Sequence, residues 1–218
     1  MTVWTSVGAS LAAVLVGYLL GSVPSGWLIG KAHGIDVRHF GSGRTGGGNV
    51  FRSLGLGAAA LTGVSDVVKG VLAVWLARWL FGNELAAALA GAAAVVGHNW
   101  PVTLRFRGGA GGATAGAALC ALSPTVGLVV VPVAFFMLFG VRYASLATLT
   151  AAVGGLVGLF VRWYIVGDDA GLIHILAFGL PVAIAVIIGL RPNITRLLQG
   201  REKRLDFTRV KNMGRQRS

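Results

Sequence analysis

Residues 54–82 read LGLGAAALTGVSDVVKGVLAVWLARWLFG, an apolar run whose charged residues are Asp66, Lys69 and Arg78. A helix needs about 20 apolar residues to cross the hydrocarbon of a bilayer, and a helix is the form open to a single segment, because lipid offers backbone N–H and C=O groups no partners. The stretch therefore predicts a transmembrane helix. Asp66 and Lys69 stand three residues apart, on one helix face, where they can pair. An ionisable group inside a membrane is costly unless it faces the bundle interior or water, which makes the pair a functional candidate; a structural pair that fixes helix packing is the other reading.

The rest of the chain has the same character. Of 218 residues, 55% are hydrophobic and 12% charged, against roughly 25% charged in an ordinary soluble domain. Further spans are expected at roughly 5–30, 85–100, 112–124, 126–141, 144–165 and 171–190. The prediction is an all-α integral membrane protein: one domain over residues 1–218, a seven-transmembrane-helix bundle with glycine-rich loops and a basic tail at 191–218. The 34 glycines suit helices that pack closely in lipid, where small residues let backbones approach. Ser22-Val23-Pro24-Ser25-Gly26 should kink the first helix, and that helix lacks the basic n-region of a cleavable signal peptide. The single cysteine, Cys120, excludes an intrachain disulfide and a cysteine metal site.

Charge sets the orientation. The segment 31–52 carries four Lys and Arg, 101–112 two, the turn at Arg142 one and the tail from Arg191 nine, sixteen of the 19 in the chain. Seven spans with the N-terminus outside put all four segments on the cytoplasmic side, in agreement with the positive-inside rule, while Glu84, Asp168 and Asp169 fall in opposite turns. The formal charge of +12 thus serves topology and anionic headgroups rather than nucleic acid. No internal repeat of the transporter type is evident.

Two glycine-rich basic loops share that side. In Gly41-Ser42-Gly43-Arg44-Thr45-Gly46-Gly47-Gly48-Asn49, followed by Arg52, five of nine residues are glycine, too many for a helix or strand. Unobstructed N–H groups with Ser42, Arg44, Asn49 and Arg52 suggest an anion cradle, and a flexible solvated turn is the alternative. The second loop, Arg105-Phe106-Arg107-Gly108-Gly109-Ala110-Gly111-Gly112, leads into a helix whose N-terminal dipole favours an anion. Neither has the Gly-Lys-Ser/Thr ending of a Walker loop. His98, at the end of the third helix, could donate to a substrate oxygen or act as a base, or be structural. His33, His39 and His174 have no companion at metal-ligand spacing, so no metal is expected. Arg78 and Arg162, flanked by aromatics, suit snorkelling anchors. Residues 191–202 suggest a short amphipathic helix stopped at Gly200, with Asn193 and Arg196 free to reach elsewhere.

Several motifs form one pattern. Ser22-x-Pro24-x-Gly26-x-Leu28-Ile29-Gly30-Lys31, the first loop through Asn49-Val50-x-Arg52, Asp66-x-x-Lys69-Gly70, Gly97-His98-x-x-Pro101 with the second loop, and Asn193-Ile194-x-Arg196-Leu197-Leu198-x-Gly200-x-Glu202 together resemble the acyl-phosphate-dependent glycerol-3-phosphate acyltransferases, the PlsY family. The resemblance covers nearly the whole chain. It implies a seven-helix bundle in a bacterial-type inner membrane, an active site at the cytoplasmic face, acyl phosphate and glycerol 3-phosphate as substrates, and no cofactor. It further implies that Ser42, Arg52 and Asn193 are the catalytic residues. Phosphate would be bound by Gly41, Gly43, Arg44, Gly46, Gly47, Gly48, Asn49, Arg107, Gly108, Gly109, Gly111, Arg191 and Arg196, with Asp66, Lys69 and His98 in support. The oligomeric state stays open, a monomer being compatible. The chain departs from the family's usual residues at Arg44 (Asn), Gly47 (Ala), Gly48 (Thr), Ala110 (Lys) and Leu190 (His). These departures keep two further readings open: a different acyl acceptor, or a lipid-binding or assembly protein that has lost the chemistry.

Overall fold

The computed structural model describes residues 3–207; the end of the expected basic tail, 208–218, lies outside them. The described residues are helical, without a strand. In chain order the helices are α1 (Val3–Gly21), α2 (Ser25–Ala32), α3 (Gly47–Leu54), α4 (Leu56–Phe81), α5 (Glu84–Asn99), α6 (Gly112–Leu122), α7 (Pro124–Phe139), α8 (Ala144–Leu149), α9 (Gly155–Val166), α10 (Asp169–Ile173) and α11 (Leu180–Leu198). A π-helical turn, Thr150–Gly154, joins α8 to α9, and another, His174–Gly179, joins α10 to α11. Five rods are long and apolar enough to cross a membrane: Val7–Ala32, Leu56–Phe81, Glu84–Leu104, Ala144–Val166 and Asp169–Leu198. Gly112–Leu122 and Pro124–Phe139 are apolar but shorter.

Ser22 to Pro24 interrupt the first span where the kink was expected, since proline disfavours a helical residue before it. Two expectations need correction. The glycine-rich first loop does hold a helix, because α3 starts inside it at Gly47. The tail has no separate amphipathic helix, because α11 runs on to Leu198 with Pro192 inside it. Pro192 cannot donate to the Ile188 carbonyl, yet the flanking turns carry the helix on to Leu198, and Gly200, with a positive φ of 67°, turns the chain away after it.

Helix contact rests on missing side chains. A Cβ at Gly17 or Gly21 of α1 would lie 2.2 or 2.1 Å from the carbonyl oxygen of Ala90 or Ala94 in α5. One at Gly70 of α4 would lie 2.5 Å from the Thr114 oxygen of α6. Backbones therefore touch, as they must where lipid removes any hydrophobic force between helices. Val74, Val95, Leu119, Leu159, Val182 and Val186 fill the interior, while Leu11, Trp79, Phe136 and Tyr164 point outward, the arrangement of a bundle solvated by lipid.

At one end, two turns use the same device. Gly82 and Gly167 end their helices in the left-handed region, and Asn83 and Asp168 then cap the next, accepting from Ala86 and Gly171 N–H. Arg78 and Arg162 are not free anchors: Arg78 pairs with Glu84 at 2.8 Å and Arg162 with Asp168. His174 Nε2, 3.0 Å from Glu84, joins the two turns. At the other end the loops bond to one another, Thr45 N–H to Gly108 O and Leu205 N–H to Arg142 O. The basic segments therefore share one face.

Gly17→Leu and Gly21→Leu should each destabilise the purified protein by about 1–3 kcal/mol or more through overpacking. Gly8→Leu, with nothing within 4 Å of the added Cβ, should leave thermal unfolding in detergent unchanged. Equal melting of all three variants would rule out the backbone contact.

Candidate active site

The first loop is held from within. Asp36 accepts from the Arg38 backbone N–H, from Arg38 Nε and Nη2, and from Trp27 Nε1; the Arg38 bonds keep its carboxyl far below the usual carboxylate range. Asn49 is buried, and its amide is fully engaged. Oδ1 accepts from Ser42 N–H at 2.8 Å, while Nδ2 donates to the carbonyls of Val37 and Arg44 at 2.8 Å each. A Cβ at Gly41, whose φ is +54°, would strike Asn49 Oδ1 at 2.3 Å. Asn49, expected to touch phosphate, instead folds the loop. It also explains how a helix can start among glycines: with Val50 and Phe51 buried behind it, tertiary contacts outweigh a cost of about 1 kcal/mol per helical glycine.

The second loop is tied down as firmly. Gly108 N–H donates to Asn99 O and Gly109 N–H to His98 O, at 3.2 and 2.9 Å. A Cβ at Gly109 would lie 1.9 Å from His98 Nε2, so the loop rests on the histidine ring. Arg44 joins the two loops to the last helix. Its Nη1 donates to Gly109 O at 3.1 Å and its Nη2 to Gly189 O, beside the turn that Pro192 loosens. Expected as a phosphate ligand, Arg44 is a brace whose guanidinium is partly engaged by carbonyls.

With so many loop amides engaged, the groups left for an anion include the first-turn N–H groups of α3 and α6. Both helices start against α8. Gly48 lies where a Cβ would be 3.1 Å from Ala144 Cβ, and Gly112 where one would be 2.5 Å from Thr148 Oγ1. Thr148 Oγ1 donates to Ala144 O, one turn away. Two helix N-termini thus open onto adjacent turns of α8.

Beside them, residues of the final segment converge on one carboxylate. Glu202, with its side chain 7% exposed, accepts from Asn193 Nδ2 at 2.7 Å, Arg196 Nε at 2.8 Å and Ser145 Oγ at 3.3 Å. Burial alone would raise its pKa, but the bonds from Arg196 and Asn193 outweigh it and hold the pKa below the usual value of 4.5. Arg44 and Arg52 feel the charges of both Arg196 and Glu202, and burial lowers the pKa of each guanidinium. Arg52 Nη2 donates to Lys203 O at 3.3 Å, and its Cδ lies 3.6 Å from the Cβ position of Gly41. Arg196 is thus bonded to the carboxylate while Arg44 and Arg52, from separate segments, lie within reach of its charge, and the three leave a surplus of positive charge. Asn193 Oδ1 is buried without a hydrogen-bond partner among the described residues.

Asp66, Lys69 and His98 form a buried triad below this face. Lys69 Nζ is 2.8 Å from Asp66 Oδ1, and His98 Nδ1 is 3.5 Å from the same oxygen. Lys69 also donates to Val23 O, at the break between α1 and α2. Lys69 does not reach the loops; His98 carries the link, because Gly109 sits on its ring. The loop thus dips toward the triad.

Other expected residues are more dispersed. Ser42, exposed, lines a cleft of about 280 Å³ with Gly43, Arg44, Asn99, Arg107, Gly108 and Gly109. Gly46 caps α3 with extended backbone and Gly47 is its first residue. Gly111 precedes α6 with φ +78°, its Cβ position 2.7 Å from Asn99 Oδ1. Arg191 is exposed and stands outside the Glu202 cluster. The sequence reading missed Asn99, Ser145 and Thr148 as site residues. Asn99 follows His98 directly and was open to notice, but Ser145 and Thr148 start an apolar span and carry no sequence signal.

Residues 11–200 match the family described as glycerol-3-phosphate acyltransferase. The glycerol-3-phosphate acyltransferase of Symbiobacterium thermophilum is 43% identical over 197 residues, which cover 89% of this chain and 94% of that protein. The one from Rubrobacter xylanophilus is 51% identical over 140 residues, 64% of this chain and 70% of that protein. Among solved structures, the fold is similar to the glycerol 3-phosphate form of PlsY, an integral membrane glycerol 3-phosphate acyltransferase. That likeness has a TM-score of 0.79 and 35% identity over 92% of this chain and 98% of the other. The lysophosphatidic acid form of PlsY gives a TM-score of 0.74 at 33% identity, covering 92% and 97%. A match over most of the chain, in sequence and in fold, settles the family: this chain belongs to the glycerol-3-phosphate acyltransferases.

Proposed function

We propose that this protein transfers a fatty acyl group from acyl phosphate to the 1-hydroxyl of glycerol 3-phosphate, releasing lysophosphatidate and phosphate. The observation that carries this reading is the positive surplus of Arg44, Arg52 and Arg196 around Glu202, beside the N-termini of α3 and α6. Such a site suits substrates that both bear phosphate. The relatives' names and the two PlsY forms, with glycerol 3-phosphate and with lysophosphatidic acid, support the acceptor and the product.

The chemistry asks little of the protein beyond placement. Acyl phosphate is a mixed anhydride, so the acceptor hydroxyl attacks its carbonyl carbon, the bond to the phosphate oxygen breaks, and the hydroxyl proton leaves with the phosphate. Positioning and charge stabilisation are then the main catalytic terms. In this reading Ser42, Arg52 and Asn193 touch substrate phosphate; the α3 N-terminus at Gly47 and Gly48 and the α6 N-terminus beyond Gly111 supply N–H donors; Arg107 and Arg191 add charge. Asn49 and Arg44 hold the walls, and Glu202 aims Asn193 and Arg196. Asp66, Lys69 and His98 support the floor.

The same proposal includes one domain and seven crossings, five by the long rods and two by the shorter helices. The basic face lies in the cytoplasm, the N-terminus outside, in a bacterial-type inner membrane. The bonded cluster of basic segments at one end supports that orientation.

The defining test gives purified protein acyl phosphate and glycerol 3-phosphate and follows lysophosphatidate and phosphate. Arg52→Ala and Asn193→Ala should each lower kcat/KM about 10²- to 10³-fold with unaltered melting; undiminished turnover in both would remove these residues from the site. Ala110→Lys alone should not raise activity, because Arg44 already bridges Gly109 and Gly189, whereas Arg44→Asn should lower it and adding Ala110→Lys to that variant should recover it; a gain from Ala110→Lys alone would contradict the brace. Because the folded pKa of Glu202 lies below its unfolded value near 4.5, its contribution to stability is complete above that pH and is lost as pH falls through the lower folded value. Melting temperatures measured across that acid range should therefore fall less in Glu202→Gln than in the unmodified protein.

A further inference from the structure

A second cleft, of about 590 Å³, lies on the other side of the first loop. Trp27 and Arg38 line it from α2 and the turn that follows, and Thr103, Arg105 and Arg107 from the second loop; His39 closes a side. It shares only Gly43 and Arg107 with the smaller cleft. The Asn193–Arg196–Glu202 cluster does not enter it.

The charges in this cleft are not all balanced. Arg38 is neutralised by Asp36 at 2.7 Å, but among the described residues the Arg105 and Arg107 side chains have no hydrogen-bond or ion partner. The backbone holds them in place at a cost. Arg105 and Phe106 are consecutive non-glycine residues in the left-handed region, at φ +52° and +62°, a strained conformation that persists only where surrounding bonds fix it. Those bonds run from Arg105, Phe106 and Arg107 N–H to the carbonyls of Val102, Pro101 and Leu104. Thr103 Oγ1 anchors the same turn to Ser22 O at 2.8 Å.

The position points to a lipid. Trp27 lies within the span Val7–Ala32, and Thr103 and Leu104 end the span Glu84–Leu104, so the cleft opens at the level where helices leave the hydrocarbon. Next to its lining residues, Leu28, Phe40 and Val102 are 48%, 46% and 51% exposed. Lys31 Nζ lies 5.7 Å from the Trp27 ring centroid, adding charge beside an aromatic at the same level. A soluble phosphate needs no apolar rim; a headgroup with acyl chains does. We propose that this cleft is a second anion site, which holds the phosphate headgroup of an anionic membrane phospholipid through Arg105, with Arg107 at the boundary it shares with the smaller cleft.

The test reads binding rather than turnover, so it is independent of the acyl-transfer reading. Full-length protein in neutral detergent is titrated with phosphatidylglycerol or phosphatidylcholine, and retained lipid is counted by native mass spectrometry. The expected result is selective retention of phosphatidylglycerol, weakened about fivefold in Arg105→Gln, the effect of one basic group at an anionic surface, and kept in Arg105→Lys. Inorganic phosphate should not displace the lipid. Unchanged selectivity in Arg105→Gln, equal retention of the two lipids, or displacement by inorganic phosphate at matched concentration would each overturn the proposal, the last by assigning the cleft to a soluble phosphate.

Discussion

Backbone that enters a membrane must have its polar groups satisfied by the protein, because no water is there to do it. Helices meet this demand within themselves, whereas the irregular segments of this chain meet it by bonding to one another. Gly108 and Gly109 donate to the last carbonyls of α5, Thr45 donates to Gly108, and Asn49 serves two carbonyls and an amide of its own loop. Glycine is needed here mainly for approach: the Gly109 Cβ position falls on the His98 ring, and the Gly108 position 2.2 Å from the His98 oxygen. The loops are therefore compact walls, and the donors they retain are concentrated at the starts of two helices.

That economy decides where charge can act. In the proposed site an anion would be met not by a loop wrapped around it but by the N-termini of α3 and α6, set against neighbouring turns of α8. Arginines cannot lose their charge under ordinary conditions, so several of them at a half-buried site repel one another unless a carboxylate intervenes. Glu202 serves that purpose and also takes hydrogen bonds from Asn193, Arg196 and Ser145. One carboxylate among three guanidiniums moderates the repulsion yet leaves the attraction for an anion.

Much of the architecture was legible because lipid and charge leave few options. The long apolar runs, the break at Pro24 and the gathering of basic segments at one end follow from hydropathy, proline geometry and the positions of Lys and Arg. The start of α3 was not legible: glycine propensity argues against a helix at Gly47, and only the long-range packing of Asn49, Val50 and Phe51 reverses it. Arg44 misled for a related reason. A guanidinium in a glycine loop suggests phosphate, but its carbonyl partners, Gly109 and Gly189, lie 65 and 145 residues away in sequence. Arg78 and Arg162 likewise looked like lone anchors because their acids sit beyond a turn. Ser145 and Thr148 acquire meaning only from the helices that fold against them.

The same contacts connect the positions at which this chain leaves its family's pattern. Ala110 and Leu190 each follow a carbonyl that Arg44 engages, Gly109 and Gly189, so the arginine stands between the two places where positive donors are missing. Charge-assisted bonds of this kind contribute about 1.5–3 kcal/mol each, enough to make the three residues one unit rather than three independent changes. Gly48 follows a different logic, since a Cβ there would already stand 3.1 Å from Ala144 Cβ and a larger side chain would push α8 away from α3. A lysine reaches into a pocket from its wall; an arginine bonded to two backbones becomes part of the wall. In the proposed site the departures would thus conserve charge while moving it from a flexible ligand to a fixed element, which suits the proposed reaction, one that depends on placing two phosphates rather than on a nucleophile.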